Sequence, residues 1–119
     1  MITKNNACIA EDRENMRGGQ GTVRLEHWFK PDNFKAKVRL CTRMILAPGA
    51  TIGQHAHEAD DEVYIVLSGI GRILEKGEWV DIAPGDAILT GNGASHSVEN
   101  TGTEPLVIAA IIMLYGDET

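Results

Sequence analysis

The chain has 119 residues, enough for one domain with a single core and too few for two. Apolar residues make up 43% of it and charged residues 24%, which sets aside disorder, and no stretch approaches the ~20 apolar residues of a membrane span. Seventeen acidic against eleven basic side chains give a formal charge of −6, so no basic stripe is on hand to neutralise nucleic-acid phosphates.

The opening segment, MITKNNACIAEDRENMRGG, has no apolar core of the kind that makes a signal peptide. Cys8 and Cys41 fit neither a CxxC motif nor a disulfide framework, and together these features point to a cytoplasmic chain. Cys41 reads as a small strand side chain and Cys8 as part of a terminal segment. Thirteen glycines and four prolines separate short runs rich in Val, Ile and Leu, which argues for strands. Residues 1–21, ending in RGGQG, read as a polar N-terminal segment with at most a short turn near 10–17, and a single domain follows over 22–119.

TVRLEHWF (22–29) alternates Val23, Leu25, His27 and Phe29 against Arg24, Glu26 and Trp28, after which KPDNF turns the chain. VRLCTRMIL (38–46) continues with period two and ends at the turn APGA. Beyond HAHEADDE (55–62), EVYIVLSG and GRILEKG read as two strands joined in a tight hairpin at Gly69 and Gly71. WVDIAPGD, AILTGNG, ASHSVENTG and LVIAAIIML complete roughly eight to ten short strands with turn signals about every 8 to 12 residues, the pattern of an all-β sandwich or small barrel. No segment sustains a helical period. LVIAAIIML (106–114) is apolar on both faces, whereas a half-solvated antiparallel strand alternates. Its second face is therefore expected to be covered, by the chain itself or by a second copy in a homodimer.

On a strand, residues two apart point the same way with ~6.6 Å between them, so His55 and His57 would present both imidazoles on one face. Glu62 opens the next apolar strand, where its carboxylate could add an oxygen ligand, and His96 sits where GNGASHSVEN passes from a turn into a strand. Three imidazoles and a carboxylate suit one divalent first-row metal ion (Mn, Fe, Co, Ni, Cu or Zn) better than calcium or magnesium. Taken alone, HxH also describes two exposed or hydrogen-bonded histidines, and EADD a solvated acidic loop.

From residue 49 the chain reads G-ATIGQ-H-A-H-EADD-E-VYIVLS-G, and from residue 85 G-DAILT-G-N-G-AS-H-SVE-N. These blocks resemble the two motifs of the cupin superfamily, and the resemblance spans residues 38–114. The second block departs once, with Gly91 where the family usually has proline, a change expected to loosen that loop. The resemblance implies a double-stranded β-helix (jelly-roll) barrel with His55, His57, Glu62 and His96 as metal ligands. Glu58, Asp60 and Asp61 are then expected in the loop between the motif strands, with Asp61 the alternative ligand if the register slips by one. His27 reads as a structural or surface histidine.

Strand parity supplies a lining for the cavity around such a site. Tyr64 shares a face with Glu62, Leu40, Thr42 and Met44 form one face of their strand, and Ile108, Ala110 and Ile112 point inward from the last strand. Thr42, Gln54 and Tyr64 are the polar groups expected to orient a small-molecule ligand, while the odd-numbered Arg39 and Arg43 are expected to point away. Small cupins similar to this chain include oxalate decarboxylase-like proteins, dioxygenases and lyases. The resemblance thus implies a metalloenzyme acting on a small carboxylate or enolisable substrate, with Tyr64 the nearest proton donor or acceptor. The alternative is a non-catalytic module that binds or senses a small molecule, since a fold does not fix a function. A sugar isomerase ranks below both, because it needs an uncommitted base in the cavity.

Overall fold

In the computed structural model, which describes residues 1–116, ten antiparallel strands form two sheets. The strands are β1 (Ile9–Glu14), β2 (Thr22–His27), β3 (Val38–Leu46), β4 (Thr51–Ala56) and β5 (Asp60–Ser68), then β6 (Gly71–Glu75), β7 (Glu78–Ile82), β8 (Ala87–Gly91), β9 (Ser95–Asn100) and β10 (Leu106–Leu114). One sheet has the order β1-β2-β3-β10-β5-β8 and the other β4-β9-β6-β7. The last three residues of the expected domain, 117–119, lie outside the described residues.

Alternation explains why these segments pair as they do. Val23 and Leu25 of β2, Met44 and Leu46 of β3, Tyr64 and Val66 of β5, and Leu106, Ile108 and Ala110 of β10 turn inward, where they meet Ile52, Ile73, Ile82 and Val98 of the other sheet. Each such side chain contributes about 1.5–3 kcal/mol by leaving water. β10 runs through the middle of the larger sheet between β3 and β5, which accounts for its apolar inner face. Its outer face, with Val107, Ala109 and Ile111, stays partly exposed, so the expected cover does not come from the described part of the chain.

Two expectations from the sequence are revised. Residues 9–14 are not a lead-in with a turn but an edge strand, fully paired with β2 from Ile9↔His27 to Glu14↔Thr22. Every residue of β1 is exposed, so it carries no apolar alternation; its charged side chains, with Arg24 bridging to Asp12 at 3.6 Å, suit a sheet edge. Nor is there a hairpin at Gly69 and Gly71: β5 and β6 belong to different sheets, and the chain crosses between them there. Gly69 has φ 81° and a Cβ on it would lie 2.4 Å from the Pro105 carbonyl oxygen, so the glycine serves the crossing and its close approach.

Asn100, the last fixed position of the second motif, uses its whole amide. Its Nδ2 donates to the carbonyls of Leu46 (3.0 Å) and Glu104 (2.8 Å), and its Oδ1 accepts from the Gly102 N–H (2.9 Å). The buried side chain thereby ties the β3–β4 turn to the β9–β10 turn.

Ile108 is wholly buried at the centre of the larger sheet, and Ile108→Ala is expected to lower unfolding stability by about 2–5 kcal/mol. Val80→Ala, at a half-exposed position, is expected to change it by under about 0.5 kcal/mol. Urea denaturation with an unchanged m-value checks both.

Candidate metal centre

β4 and β9 pair antiparallel so that His55 stands directly opposite His96. The ladder does not run evenly to that point: Ile52 pairs Val98 and His55 pairs His96, leaving Gly53 and Gln54 opposite the single residue Ser97. This bulge switches the inward parity from the even Ile52 to the odd His55 and His57. Gln54 is consequently exposed and outside the cavity, contrary to its expected role. Glu62 and Tyr64 reach the same point from β5 of the facing sheet.

The four expected ligands converge. One ligand atom from each of His55, His57, Glu62 and His96 lies within 4.8 Å of the other three. His96 Nε2 is 3.0 Å from His55 Nε2 and 3.1 Å from His57 Nε2, and Glu62 Oε1 is 3.0 Å from His57 Nε2 and 3.1 Å from His96 Nε2.

The far side of the His55 and His57 rings fixes what these atoms can be. His55 Nδ1 lies 2.7 Å from the Gly53 carbonyl oxygen, which only accepts, so that nitrogen donates. His57 Nδ1 donates to Asp60 Oδ1 at 2.5 Å, and His96 Nδ1 lies 2.9 Å from Thr90 Oγ1. With Nδ1 of His55 and His57 carrying the protons, their Nε2 lone pairs face inward, and that of His96 joins them where the Thr90 hydroxyl accepts from its Nδ1. Burial holds His55 below its usual pKa, outweighing the opposing hydrogen bond to the Gly53 carbonyl and favouring the neutral ring. Glu62 Oε1 is buried and accepts no hydrogen bond, as expected when the nitrogens beside it bear no proton. Inward lone pairs and an unpartnered carboxylate oxygen repel one another unless a cation lies between them. The donor set therefore fits a divalent transition metal, while its composition does not choose among those metals.

Asp60 was missed as a functional residue. It is not loop but the first residue of β5, buried, with Oδ1 on His57 and Oδ2 3.0 Å from Arg39. The EADD run offered no signal to single it out. Asp61 points the other way: its carboxylate accepts from the Tyr115 hydroxyl at 2.5 Å, and the Tyr115 oxygen accepts from the Asn92 N–H at 2.8 Å. A Cβ on Gly91 would meet Asp61 Oδ1, so glycine in place of proline makes room for this clasp and the loop before His96 is fastened by Tyr115 instead. Glu58 is exposed in the turn and His27 lies on the outer strands beside Glu11 (3.3 Å), both as expected.

A cavity of about 210 Å³ opens onto the cluster, lined by Leu40, Met44 and Ile112 as parity suggested. Thr42 is wholly buried beside it and is not part of the lining. Tyr64 stacks on His96 with centroids 4.8 Å apart, and its hydroxyl is 3.4 Å from His96 Nε2. Burial, followed by the charge of Glu62, raises its pKa well above the usual phenol value.

Arg39 corrects the expectation of a cavity without cations. β3 carries an extra residue here, since Leu40 pairs Ile112 while Val38 pairs Met113, and the bulge breaks the parity that would have turned Arg39 away. Arg39 lines the cavity with Arg13 and Arg17 of the N-terminal segment. Arg43 does face outward, 2.9 Å from Glu26 and over the Trp28 ring.

Two sheets closing around a histidine and carboxylate cluster define a jelly-roll barrel with a candidate metal centre. The chain belongs to the cupins: the Cupin domain family matches residues 42–113. It is 40% identical over 114 residues to an oxalate-binding protein of Thermotoga maritima, covering 96% of this chain and 94% of the relative. A Thermotoga maritima structure described as a predicted oxalate decarboxylase superposes with a TM-score of 0.92 at 39% identity, over 96% of this chain and 99% of the other. KdgF from Halomonas superposes with a TM-score of 0.75 over 95% and 93% at 18% identity, a likeness of fold alone.

Asp60→Asn keeps the size of the side chain but removes the charge that orients His57, and is expected to weaken divalent-metal affinity about 10- to 100-fold. Glu58→Gln in the exposed turn is expected to leave it unchanged. Chelator competition measures both.

Proposed function

We propose that His55, His57, Glu62 and His96 hold one divalent transition metal and that the chain binds a small carboxylate there as a metalloenzyme of the decarboxylase or dioxygenase type. The observation that carries this reading is the inward set of Nε2 lone pairs around the unpartnered Glu62 Oε1. The likeness to an oxalate-binding protein supports a small carboxylate as the ligand class. When bound, the metal supplies a Lewis acid that neutralises developing negative charge on a coordinated oxygen. The chain supplies the rest: Leu40, Met44 and Ile112 exclude water from one side of the cavity. Tyr64, a buried phenol whose hydroxyl reaches the cluster 3.4 Å from His96 Nε2, is the nearest hydrogen-bond and proton donor toward the ligand.

A second reading, binding without turnover, is favoured by a specific observation. Apart from the ligand set, Tyr64 and the arginines, the cavity lining has no titratable group to serve as a base. Elemental analysis of the purified protein is expected to find one divalent ion per chain, lost in His55→Ala and His96→Ala; a protein that takes up none on reconstitution overturns the site. Oxygen uptake and CO₂ release are then measured against a panel of carboxylates. Turnover that disappears in Tyr64→Phe with metal retained supports the enzyme, and saturable binding without turnover supports the module.

The same reading includes a cytoplasmic homodimer. Across β8, β5, β10 and β3, Leu89, Val63, Ile111 and Cys41 lie side by side on the outer face of the larger sheet, flanked by the exposed Ile65. The described residues contain no helix long and apolar enough to cross a membrane, and a second copy is the proposed cover for this strip. Sedimentation is expected to give a dimer that Ile65→Asp shifts toward monomer.

A further inference from the structure

We propose that the N-terminal strap, through Arg17 with Arg13 beside it, forms an anionic subsite that selects dicarboxylates over monocarboxylates at the metal centre. This inference rests on the metal-dependent carboxylate reading above and assigns the specificity to residues outside both motifs.

The strap is the segment linking β1 to β2, and it lies across β4 at the bulge. The Thr51 N–H donates to the Gln20 carbonyl (2.8 Å) and the Gln20 N–H to Thr51 Oγ1 (2.9 Å). The approach is close enough to need two glycines. A Cβ on Gly19 would lie 2.2 Å from the Thr51 carbonyl oxygen, and one on Gly53 would lie 2.1 Å from the Arg17 carbonyl oxygen. Gly53 is also the residue whose carbonyl orients His55. The backbone that presents Arg17 is therefore seated directly on the backbone that aims a ligand.

Asn15 and Arg17 have φ of 52° and 55°, the left-handed region that Asn tolerates and Arg rarely adopts. Such conformations concentrate where the local geometry serves a site. Here the strained turn carries Met16 and Arg17 into the cavity lining.

Charge bookkeeping separates Arg17 from the other two guanidinium groups. Arg13 pairs with Glu11 at 2.7 Å and Arg39 with Asp60 at 3.0 Å. Arg17 makes no side-chain hydrogen bond or ion pair with an acidic group among the described residues. A divalent cation and Arg17 against the single charge of Glu62 leave the cavity with two formal positive charges. A monocarboxylate neutralises one of them and a dicarboxylate both. The cavity, about 210 Å³, is of a size for a ligand of few heavy atoms, so a second carboxylate near the metal falls within the reach of the rim. A guanidinium binds a carboxylate in a planar, two-pronged fork, which a lysine cannot reproduce.

The test uses the full chain loaded with Zn²⁺, which is redox-inert, and titrates oxalate and malonate against formate and acetate by calorimetry, with zinc content measured in parallel. Arg17→Asn removes the charge with a residue that tolerates the backbone conformation; Arg13→Gln tests its neighbour. Arg39 is left intact because its partner Asp60 orients His57. Wild-type protein is expected to prefer the dicarboxylates at least tenfold. Arg17→Asn is expected to cut that preference about tenfold with zinc still stoichiometric, Arg13→Gln by less, and Arg17→Lys to recover only part of it. Stoichiometric zinc with no dicarboxylate preference, or a preference unchanged in Arg17→Asn, overturns the inference and leaves the metal site standing. Zinc lost from Arg17→Asn also overturns it, since the strap would then act on the ligands. A wild-type chain that holds no zinc overturns the underlying reading instead.

Discussion

Everything at this site depends on one electrostatic constraint: four donor atoms, drawn from two different sheets, point their lone pairs at one another inside the protein. Such a cluster is unfavourable without a cation, and it persists only if each ring is prevented from turning away. Three different hydrogen-bond partners do this, a main-chain carbonyl for His55, a carboxylate for His57 and a hydroxyl for His96. Because β4 with the residue that follows it, and β9, supply the imidazoles and β5 the carboxylate, the apolar packing between the sheets sets the distance across the cluster. Core stability and ligand geometry are in this sense one property.

The ligand set and the rim are built differently. The ligands stand on paired strands near the core, where side chains have little room to shift. The rim comes from an edge strand with every residue exposed and from a strained turn beyond it. The two meet at Gly53, which touches the strap with its Cα side and His55 with its carbonyl. Arg39 makes a second link, through Asp60 to His57. The rim is thus held in register with the ligands without any residue of the rim being a ligand.

Much of this was legible in the sequence. Period-two alternation gave nearly all the strands, and the HxH, Glu and His spacing gave the four residues that converge. The failures share a physical cause. Parity arguments assume an even ladder, and the two bulges, at Gly53–Gln54 and at Arg39, each reversed the side on which a residue falls. Gln54 was thereby placed inside and Arg39 outside. β1 escaped notice because an exposed edge strand bears no apolar pattern to detect. Asp60 could not be told from Glu58 or Asp61 among three neighbouring acidic residues, since only the backbone decides which carboxylate meets Nδ1.

The recovered arginines also alter what chemistry is reasonable. Read without an interior cation, the cavity would hold a single carboxylate through the metal alone, and a dianion would carry uncompensated charge into an apolar surrounding. With Arg17 in the cavity lining, a second carboxylate would have a partner, and neutralisation would be spread across the ligand instead of falling at one end. With a metal held by His55, His57, Glu62 and His96, that arrangement would polarise a ligand between two positive poles and draw electron density out of the bond joining its carboxylates. Tyr64, its phenol pKa raised by burial, stacks on His96 with its hydroxyl 3.4 Å from Nε2. Under the proposed reading, such a site would favour loss of a carboxyl group or binding of the intact dianion over proton abstraction, because its lining would offer two electrophilic ends and no base between them.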